Sequence, residues 1–203
     1  SDVYQVTCSK PATLNEGGSK HIVLWDFGYK RGMATELINR GCQVTIVPAG
    51  TAFEQIATYQ PDGILLSNGP GDPAVNTAII KEIRQAMAAE IPVFGICLGH
   101  QLMALAQGAK TVKLRYGHRG ANQPVRDTRT GHLYITSQNH GYAVENESLP
   151  ETAKLRFENL NDLTCEGVDY LHTPAFSVQF HPEARGGPLD TTFLFDRFLA
   201  LLG

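Results

Sequence analysis

The chain has 203 residues, of which 42% are hydrophobic and 18% are charged, with 20 glycines and 11 prolines. This composition excludes a disordered or fibrous protein and predicts one folded unit, or at most two, with a core that needs no disulfide or metal. The formal net charge of −3 provides no excess of cations for phosphate groups. We therefore expect neither a nucleic acid nor an anionic membrane as the main partner.

The amino-terminal segment 1–20 is polar, has no periodicity and contains Gly-Gly-Ser near its end, which is typical of a linker. Because the chain also begins with Ser, we expect a fragment of a longer protein, with a linker at 1–20 and a folded domain at 21–203. A processed or tagged start is the alternative, since it would give the same first residue. The sequence shows no leader peptide and no apolar run of about eighteen residues, so a soluble, cytoplasmic protein is expected.

From residue 21 onward, short apolar runs alternate with helical patterns. Runs that are apolar on both faces predict parallel strands covered by helices on both sides. After residue 110 the pattern becomes rich in strands. The sequence thus predicts an α/β, three-layer domain with a mainly parallel central sheet and a strand-rich C-terminal part. The predicted strands are 21–27, 42–47, 62–67, 91–97, 111–114, 132–138, 154–160, 164–168 and 175–181, and the predicted helices are 29–40, 77–89, 98–108 and 191–202, the last capped by Asp190.

One cysteine lies in a special context. Gly95 and Gly99 flank Cys97 where a buried strand meets a helix, which is the G-x-S-x-G nucleophile-elbow pattern with cysteine in place of serine. The glycines allow a sharp, strained turn, and the helix N-terminus favours a thiolate. The amide of Leu98 would face an oxyanion. The alternative is a buried structural cysteine, a common fate of this residue type.

A thiol nucleophile needs a base, and His181 is the best candidate. It ends an apolar strand, and Glu183 two residues later would share its side in an extended chain and could orient the imidazole. The pattern predicts a Cys-His-Glu triad. His100, three residues after Cys97, could be mistaken for the base or for a metal ligand. Since Cys42 and Cys165 offer no companion spacing, we expect no metal site.

The loop 67–73, SNGPGDP, follows a predicted strand at the sheet edge where α/β proteins bind ligands. It lacks the Lys and Ser/Thr of a P-loop, so we reject nucleotide binding there. The amides of Gly69 and Gly71 could provide an oxyanion donor and a substrate clamp. A plain glycine-proline turn is the alternative.

Three motifs in this order, SNGPGDP, VFGICLGHQ and QFHPEA, resemble the class I (triad) glutamine amidotransferases. YGHRGANQPV at 116–125 and TSQNHGYAV at 136–144 make the sequence most similar to the glutaminase domain of the carbamoyl phosphate synthetase small subunit. The resemblance covers about 21–203. It implies a flavodoxin-like domain that hydrolyses L-glutamine and passes ammonia to a large synthetase subunit, where ATP and bicarbonate bind, and it implies no cofactor in the domain itself.

The resemblance also implies roles for matching residues. Cys97 would attack the glutamine amide, His181 would protonate the leaving ammonia, and Glu183 would support His181. The amides of Gly71 and Leu98 would stabilise the oxyanion. Residues that would hold the substrate's α-amino and α-carboxylate groups are Gly69, Gln101, Asn139, Gly141 and Tyr142. From the residues alone, a hairpin or strand-end turn is the favoured interpretation of 139–142.

Two departures from the family pattern stand out. The family's small subunit has an amino-terminal domain that contributes to the large-subunit contact and to one edge of the glutamine pocket. These 203 residues do not contain the sequence of that domain, so we do not expect full activity from them in isolation. Relatives commonly continue Ser-Pro-Gly-Pro after the HPEA motif, whereas this chain has Arg-Gly-Gly-Pro at 185–188.

Two other functions remain open: a scaffold that binds and regulates the synthetase without turnover, and a cysteine-dependent hydrolase or redox sensor on the same fold.

Overall fold

The computed structural model describes residues 1–184 and 191–203 of the chain. Its strands are β1 (Ala12–Leu14), β2 (Lys20–Asp26), β3 (Cys42–Pro48), β4 (Gly63–Leu66), β5 (Val93–Ile96), β6 (Thr111–Asp127), β7 (Leu133–Val144), β8 (Ala153–Asn159), β9 (Cys165–Tyr170) and β10 (Ala175–Val178). Its helices are α1 (Val3–Val6), α2 (Arg31–Asn39), α3 (Phe53–Thr58), α4 (Thr77–Ala88), α5 (Leu98–Ala106) and α6 (Phe193–Ala200), with short 3₁₀ turns at Pro73–Val75 and Asn146–Ser148.

Five parallel strands form the centre of the sheet, in the order β3-β2-β4-β5-β10. Numbered by their own sequence, these strands follow the order 2-1-3-4-5 of a flavodoxin-like fold. Beyond β10, the strands β9, β8, β6 and β7 continue the same sheet antiparallel, and β1 pairs antiparallel with β3 at the other edge. The predicted α/β class, parallel centre and strand-rich C-terminal part are confirmed.

The core lies on both faces of the parallel strands. Along β2, Val23 and Trp25 pack in one apolar cluster with side chains of α3, α4 and α5, whereas Ile22 and Leu24 pack in a second cluster with α2 and α6. Successive side chains of a strand point to opposite faces, so a strand that is apolar throughout must be covered twice. This arrangement gives the three predicted layers.

The segment 1–20 contains more structure than its composition indicates. It forms α1 and β1, and Val3 in α1 is fully buried. This segment has too few apolar side chains to show a helical spacing in the sequence. They can still anchor a short helix, because the folded domain provides an apolar surface for them to pack against. The division of the chain at residue 20 stays a prediction. The helix α3 was not predicted either.

Three predicted strands have limits that differ by more than two residues, and one of them, 132–138, continues to Val144 as β7. The predicted strand 111–114 is the start of the 17-residue strand β6. The rest of β6 was not predicted because it contains glycines and a proline, which are uncommon inside strands. The predicted strand 175–181 ends at Val178 as β10, since the chain then turns away. The predicted Asp190 cap and the 185–188 departure lie outside the described residues. Within the described part, no helix has both the length and the apolar character needed to cross a membrane.

Candidate active site

A cavity of about 570 Å³ opens at the carboxyl ends of the parallel strands. This is the edge at which α/β sheets bind ligands. Most of the residues proposed from the sequence line it, whereas Leu98 and Glu183 are buried and are not among its lining residues. The lining residues are Val6, Gly28, Lys30, Asn68, Gly69, Pro70, Gly71, Cys97, Gln101, Lys113, Arg119, Asn139, His140, Gly141, Tyr142 and His181.

The strand-to-helix turn at Cys97 has the strained geometry that the elbow pattern predicts. Cys97 lies between β5 and α5 with φ 55° and ψ −107°, outside the regions that L-residues ordinarily occupy. A Cβ on Gly95 would lie 2.5 Å from Sδ of Met103, and a Cβ on Gly99 would overlap the carbonyl oxygen of Leu66. Both glycines are therefore required for the close approach of neighbouring backbones. Cys97 has a free thiol at the N-terminus of α5, is only 4% exposed as a residue, and borders the cavity.

His181 and Glu183 form a buried pair next to Cys97. Nδ1 of His181 lies 2.9 Å from Oε1 of Glu183, and both residues are nearly inaccessible. Burial opposes a charge on the ring, but hydrogen bonds to Cys97 and Glu183 outweigh it and raise the pKa of His181 to about 9. The contact predicted between 181 and 183 is confirmed, although a turn rather than an extended strand produces it. A protonated imidazole beside a sulfur favours the thiolate.

Gln179 was not singled out from the sequence. Its Nε2 lies 3.6 Å from Sγ of Cys97, and its Oε1 accepts a hydrogen bond from Gln101 at 2.9 Å. Gln101 also donates to the carbonyl oxygen of Tyr142 at 2.8 Å, and it borders the cavity as its helical spacing from Cys97 predicts. The two amides fix the wall of the cavity around the sulfur. Gln179 precedes His181 by two residues, and the same period-2 reasoning that paired His181 with Glu183 would have found it.

The loop after β4 is held by its own polar side chains. Ser67 Oγ accepts a hydrogen bond from the amide of Phe27 at 2.8 Å, and Asn68 donates to the carbonyl oxygen of Gly28 at 3.1 Å. Gly71 has φ +88°, and a Cβ on Gly69 would overlap the carbonyl oxygen of Phe27. The glycines therefore place backbone against the cavity, which is what an oxyanion donor or clamp requires.

The amino-terminal helix α1 closes one edge of this cavity. Val6 lines it, and a Cβ on Gly71 would meet Asp2 at 2.9 Å. The backbone amide of Cys8 donates to Asp26 at 2.7 Å, the carboxylate that also accepts from the amides of Gly28 and Tyr29. Residues 1–8 thus contact the loops around the nucleophile.

The stretch 139–142 lies within β7 and pairs with β6. The hairpin or strand-end turn favoured from the residues alone is therefore wrong. That interpretation relied on Asn and Gly as turn formers, and the pairing with β6 overrides this local preference. Asn139, Gly141 and Tyr142 all line the cavity.

His100 is separated from the chemistry. It is fully buried, its Nδ1 lies 2.7 Å from Oγ of Ser177, and burial lowers its pKa to about 3. A ring that stays neutral at the back of α5 supports packing and does not act on a substrate in the cavity.

Potential metal ligands come together at one place in the described part of the chain. Nitrogen or oxygen atoms of His118, His140 and Glu166 lie within 4.8 Å of one another. The spacing in sequence gave no sign of this group, because it joins β6, β7 and β9. Hydrogen bonds to other protein groups already engage these side chains, and the expectation of no metal site stays a prediction.

The cavity wall carries positive charge that the sequence analysis missed. Lys30, Lys113 and Arg119 line it, and no Asp or Glu is found among the described lining residues. Such a wall suits a ligand with a carboxylate. Lys113 and Arg119 both lie on β6, whereas Lys30 follows β2, so only the fold brings Lys30 to the other two cations.

Comparison with known proteins agrees with this geometry. Residues 23–201 match the sequence profile of the glutamine amidotransferase class-I family. The chain belongs to the class-I glutamine amidotransferases. Within this amidotransferase chain, the elbow, the histidine and the glutamate all lie in the matched region.

Two relatives of this amidotransferase chain are named carbamoyl phosphate synthase small chain. One, from Staphylococcus epidermidis strain RP62A, is 49% identical over 202 residues, covering 99% of this chain and 55% of the relative. The other, from Methanocaldococcus jannaschii, is 52% identical over 179 residues, covering 88% of this chain and 50% of the relative. The chain thus spans about half the length of these relatives.

Solved structures share the fold of this amidotransferase chain. A GMP synthase subunit protein from Thermoplasma acidophilum superposes with a TM-score of 0.78 at 22% identity, covering 90% of this chain and 94% of that one. A glutamine amidotransferase from Thermotoga maritima gives a TM-score of 0.64 at 18% identity, covering 89% and 81%. At these identities the likeness concerns the fold alone.

Proposed function

We propose that this domain hydrolyses L-glutamine to glutamate and ammonia through a cysteine thioester. The observation that carries the proposal is the strained elbow, which holds the Cys97 sulfur at the cavity beside His181, itself backed by Glu183. Membership of the amidotransferase family supports the choice of an amide substrate.

In the first half of the reaction, the Cys97 thiolate attacks the side-chain carbonyl carbon of glutamine. The carbonyl oxygen becomes an oxyanion, for which the amides of Gly71 and Leu98 are the proposed donors. As the tetrahedral intermediate collapses, the bond from carbon to nitrogen breaks. His181 gives its proton to the departing nitrogen, so that ammonia leaves and a γ-glutamyl thioester remains.

In the second half, His181 is neutral and acts as the base. It takes a proton from a water molecule, whose oxygen attacks the thioester carbonyl carbon. Collapse of this second intermediate expels the Cys97 thiolate and releases the product as a γ-carboxylic acid, which loses its proton to solvent and becomes glutamate. The imidazole is again protonated by the proton taken from water. Glu183 holds Nδ1 of the ring throughout, so that the other nitrogen faces the reacting atoms.

The opposite end of the substrate would lie against β7 and the loop after β4. The residues proposed for its α-amino and α-carboxylate groups are Gly69, Gln101, Asn139, Gly141 and Tyr142. None of these residues has a charged side chain, and the nearby cations Lys113 and Arg119 favour the carboxylate.

We further propose that the ammonia serves carbamoyl phosphate synthesis by a large synthetase subunit that binds ATP and bicarbonate. Relatives about half identical in sequence, named carbamoyl phosphate synthase small chain, support this assignment. No cofactor is proposed for the domain itself, because the thiol and imidazole account for every proton and bond in the hydrolysis.

The test measures glutaminase activity of the natural full-length protein, with and without a large synthetase subunit. Cys97→Ser should abolish ammonia release, whereas Cys8→Ser, a half-buried thiol outside the cavity lining, should retain it. Absence of turnover under both conditions would favour a scaffold. Turnover of an ester or a peroxide with glutamine inert would instead favour a different cysteine chemistry.

A further inference from the structure

The backbone stretch 139–142 borders the proposed substrate, and its pairing with β6 is irregular: Tyr142 pairs with Lys113, and a separate run of three consecutive pairs lies on the other side of Gly141. These pairings are His118 with His140, Arg119 with Asn139, and Gly120 with Gln138. Irregularities interrupt the register on both sides, between Lys113 and His118 and between Gly120 and Gln123. Such irregularities disrupt the ladder of hydrogen bonds locally, so side-chain contacts contribute to holding this run of three pairs in place.

His118 provides such a contact, because two carboxylates hold its ring. Its Nε2 lies 2.6 Å from Oδ2 of Asp162, and its Nδ1 lies 3.3 Å from Oε1 of Glu166. Both contacts join the ring to a carboxylate, one in the loop after β8 and the other on β9. The ring therefore anchors β6 to β9.

Glu166 extends this anchor to the cavity wall. It is fully buried, and its Oε2 accepts a hydrogen bond from Nε2 of Gln138 at 2.7 Å. Oε1 of Gln138 lies 2.7 Å from Nε2 of His140, whose Nδ1 lies 2.7 Å from the carbonyl oxygen of Tyr142. A continuous chain of polar contacts thus runs from the buried carboxylate to residues that line the cavity.

The backbone of Glu166 reaches the nucleophile from the other side. Its carbonyl oxygen accepts a hydrogen bond from the amide of Gln179 at 2.8 Å, and the Gln179 side chain lies 3.6 Å from the Cys97 sulfur. Glu166 therefore contacts Gln138 on β7 through its side chain and Gln179 through its backbone.

We infer that His118 and Glu166 are positioning residues, which act through Gln138 and Gln179 to fix the distance between the proposed glutamine-binding stretch 139–142 and Cys97. This inference rests on the proposed function. A buried ion pair seldom adds stability over an apolar pair of similar size, so conformational specificity is the better reason for this one. Neither residue lines the cavity.

The experiment compares His118→Gln and Glu166→Gln with the unmodified full-length protein. His132→Gln, in the exposed turn between β6 and β7, is the matched control. Each change removes one charged partner of the His118–Glu166 contact, which we propose orders the stretch 139–142. KM for glutamine should therefore rise by about tenfold while kcat stays within about twofold. The control should leave both constants unchanged.

A second readout separates positioning from a general loss of structure. Alkylation of Cys97 by a glutamine-shaped electrophile should slow in both variants. Alkylation by iodoacetamide should keep its rate, because this reagent is too small to depend on contacts with the stretch 139–142. Parallel slowing with both reagents, or an unchanged KM in folded variants, would overturn the inference.

If neither variant folds, Asp162→Asn decides, because Asp162 is half-exposed and its loss leaves Glu166 in place. A KM raised by about twofold or more supports the inference, and an unchanged KM rejects it. Failure of the unmodified protein to hydrolyse glutamine would instead reject the proposed function, and the inference with it.

Discussion

The side-chain amide of Gln179 lies 3.6 Å from the sulfur of Cys97, with its nitrogen directed at the sulfur. An N–H donor stabilises a thiolate more than a thiol, because hydrogen bonds to charged groups are the stronger ones. The amide is itself fixed by Gln101, so it needs no reorganisation when the sulfur becomes charged.

Gln179→Leu should therefore lower kcat/KM for glutamine by about ten- to a hundredfold, the effect of losing one hydrogen bond to an ion. Steady-state ammonia release measures it. Gln85→Leu, on the exposed face of α4, is the control and should behave like the unmodified protein. An unchanged kcat/KM would mean that the amide only fills space.

The four thiols should differ sharply in reactivity. Burial is the main cause that raises the pKa of Cys8 to about 11, of Cys165 to about 12, and of Cys42 above its ordinary value. At pH 7 only about one Cys8 side chain in ten thousand is then ionised. Cys97 alone has a helix N-terminus and a protonated imidazole beside it.

Iodoacetamide at pH 7 should consequently label Cys97 first, and peptide mass spectrometry after short exposure would locate the label. His181→Gln should slow this labelling because it removes the positive partner of the sulfur. Faster labelling at Cys8 than at Cys97 would contradict the thiolate assignment.

The sequence could predict those features that depend on neighbouring residues. Apolar runs separated by helical patterns predict the parallel centre, and glycines at fixed offsets around Cys97 predict the elbow, because each requirement is local. Glu183 was found for the same reason, since it is two residues from His181.

Features that depend on pairing between distant segments could not be predicted. The extended β6 contains glycines and a proline that locally disfavour a strand, and partners on β7 and β8 override them. Likewise, His118 and Glu166 are 48 positions apart, and no pattern within either strand shows that they meet. The cations of the cavity wall were missed because their grouping requires the complete fold.

The elbow also makes a prediction about stability. In Gly99→Ala the new methyl group would overlap the carbonyl oxygen of Leu66, a backbone atom of β4 that cannot rotate away. We expect a loss of about 3 kcal/mol or more in the free energy of unfolding, at the upper end for overpacked cores. Denaturant titration measures it. Gly50→Ala, where the nearest atom would be 3.4 Å away, should change stability by less than about 1 kcal/mol.

The His118 cluster predicts how stability changes with pH. The pKa of His118 is about 9 in the folded protein, against 6.5 for an unperturbed histidine, so the folded state retains a proton that the unfolded state loses. This contribution is complete below pH 6.5, decreases as the pH rises, and is lost above about pH 9. The facing groups are Asp162, Glu166 and His140, and the last stays neutral since burial lowers its pKa to about 4.

His118→Gln should therefore destabilise the protein more at pH 6.5 than at pH 9.5. We expect the difference to be roughly 1–2 kcal/mol, because the half-exposed Asp162 is screened by solvent. Urea unfolding at the two pH values measures it, and taking the difference from the unmodified protein cancels the titration of His181, whose pKa is also raised to about 9. His132→Gln should follow the unmodified protein at both pH values. An equal destabilisation by His118→Gln at pH 6.5 and 9.5 would show that His118 is not charged in the folded protein, and that packing alone accounts for its effect.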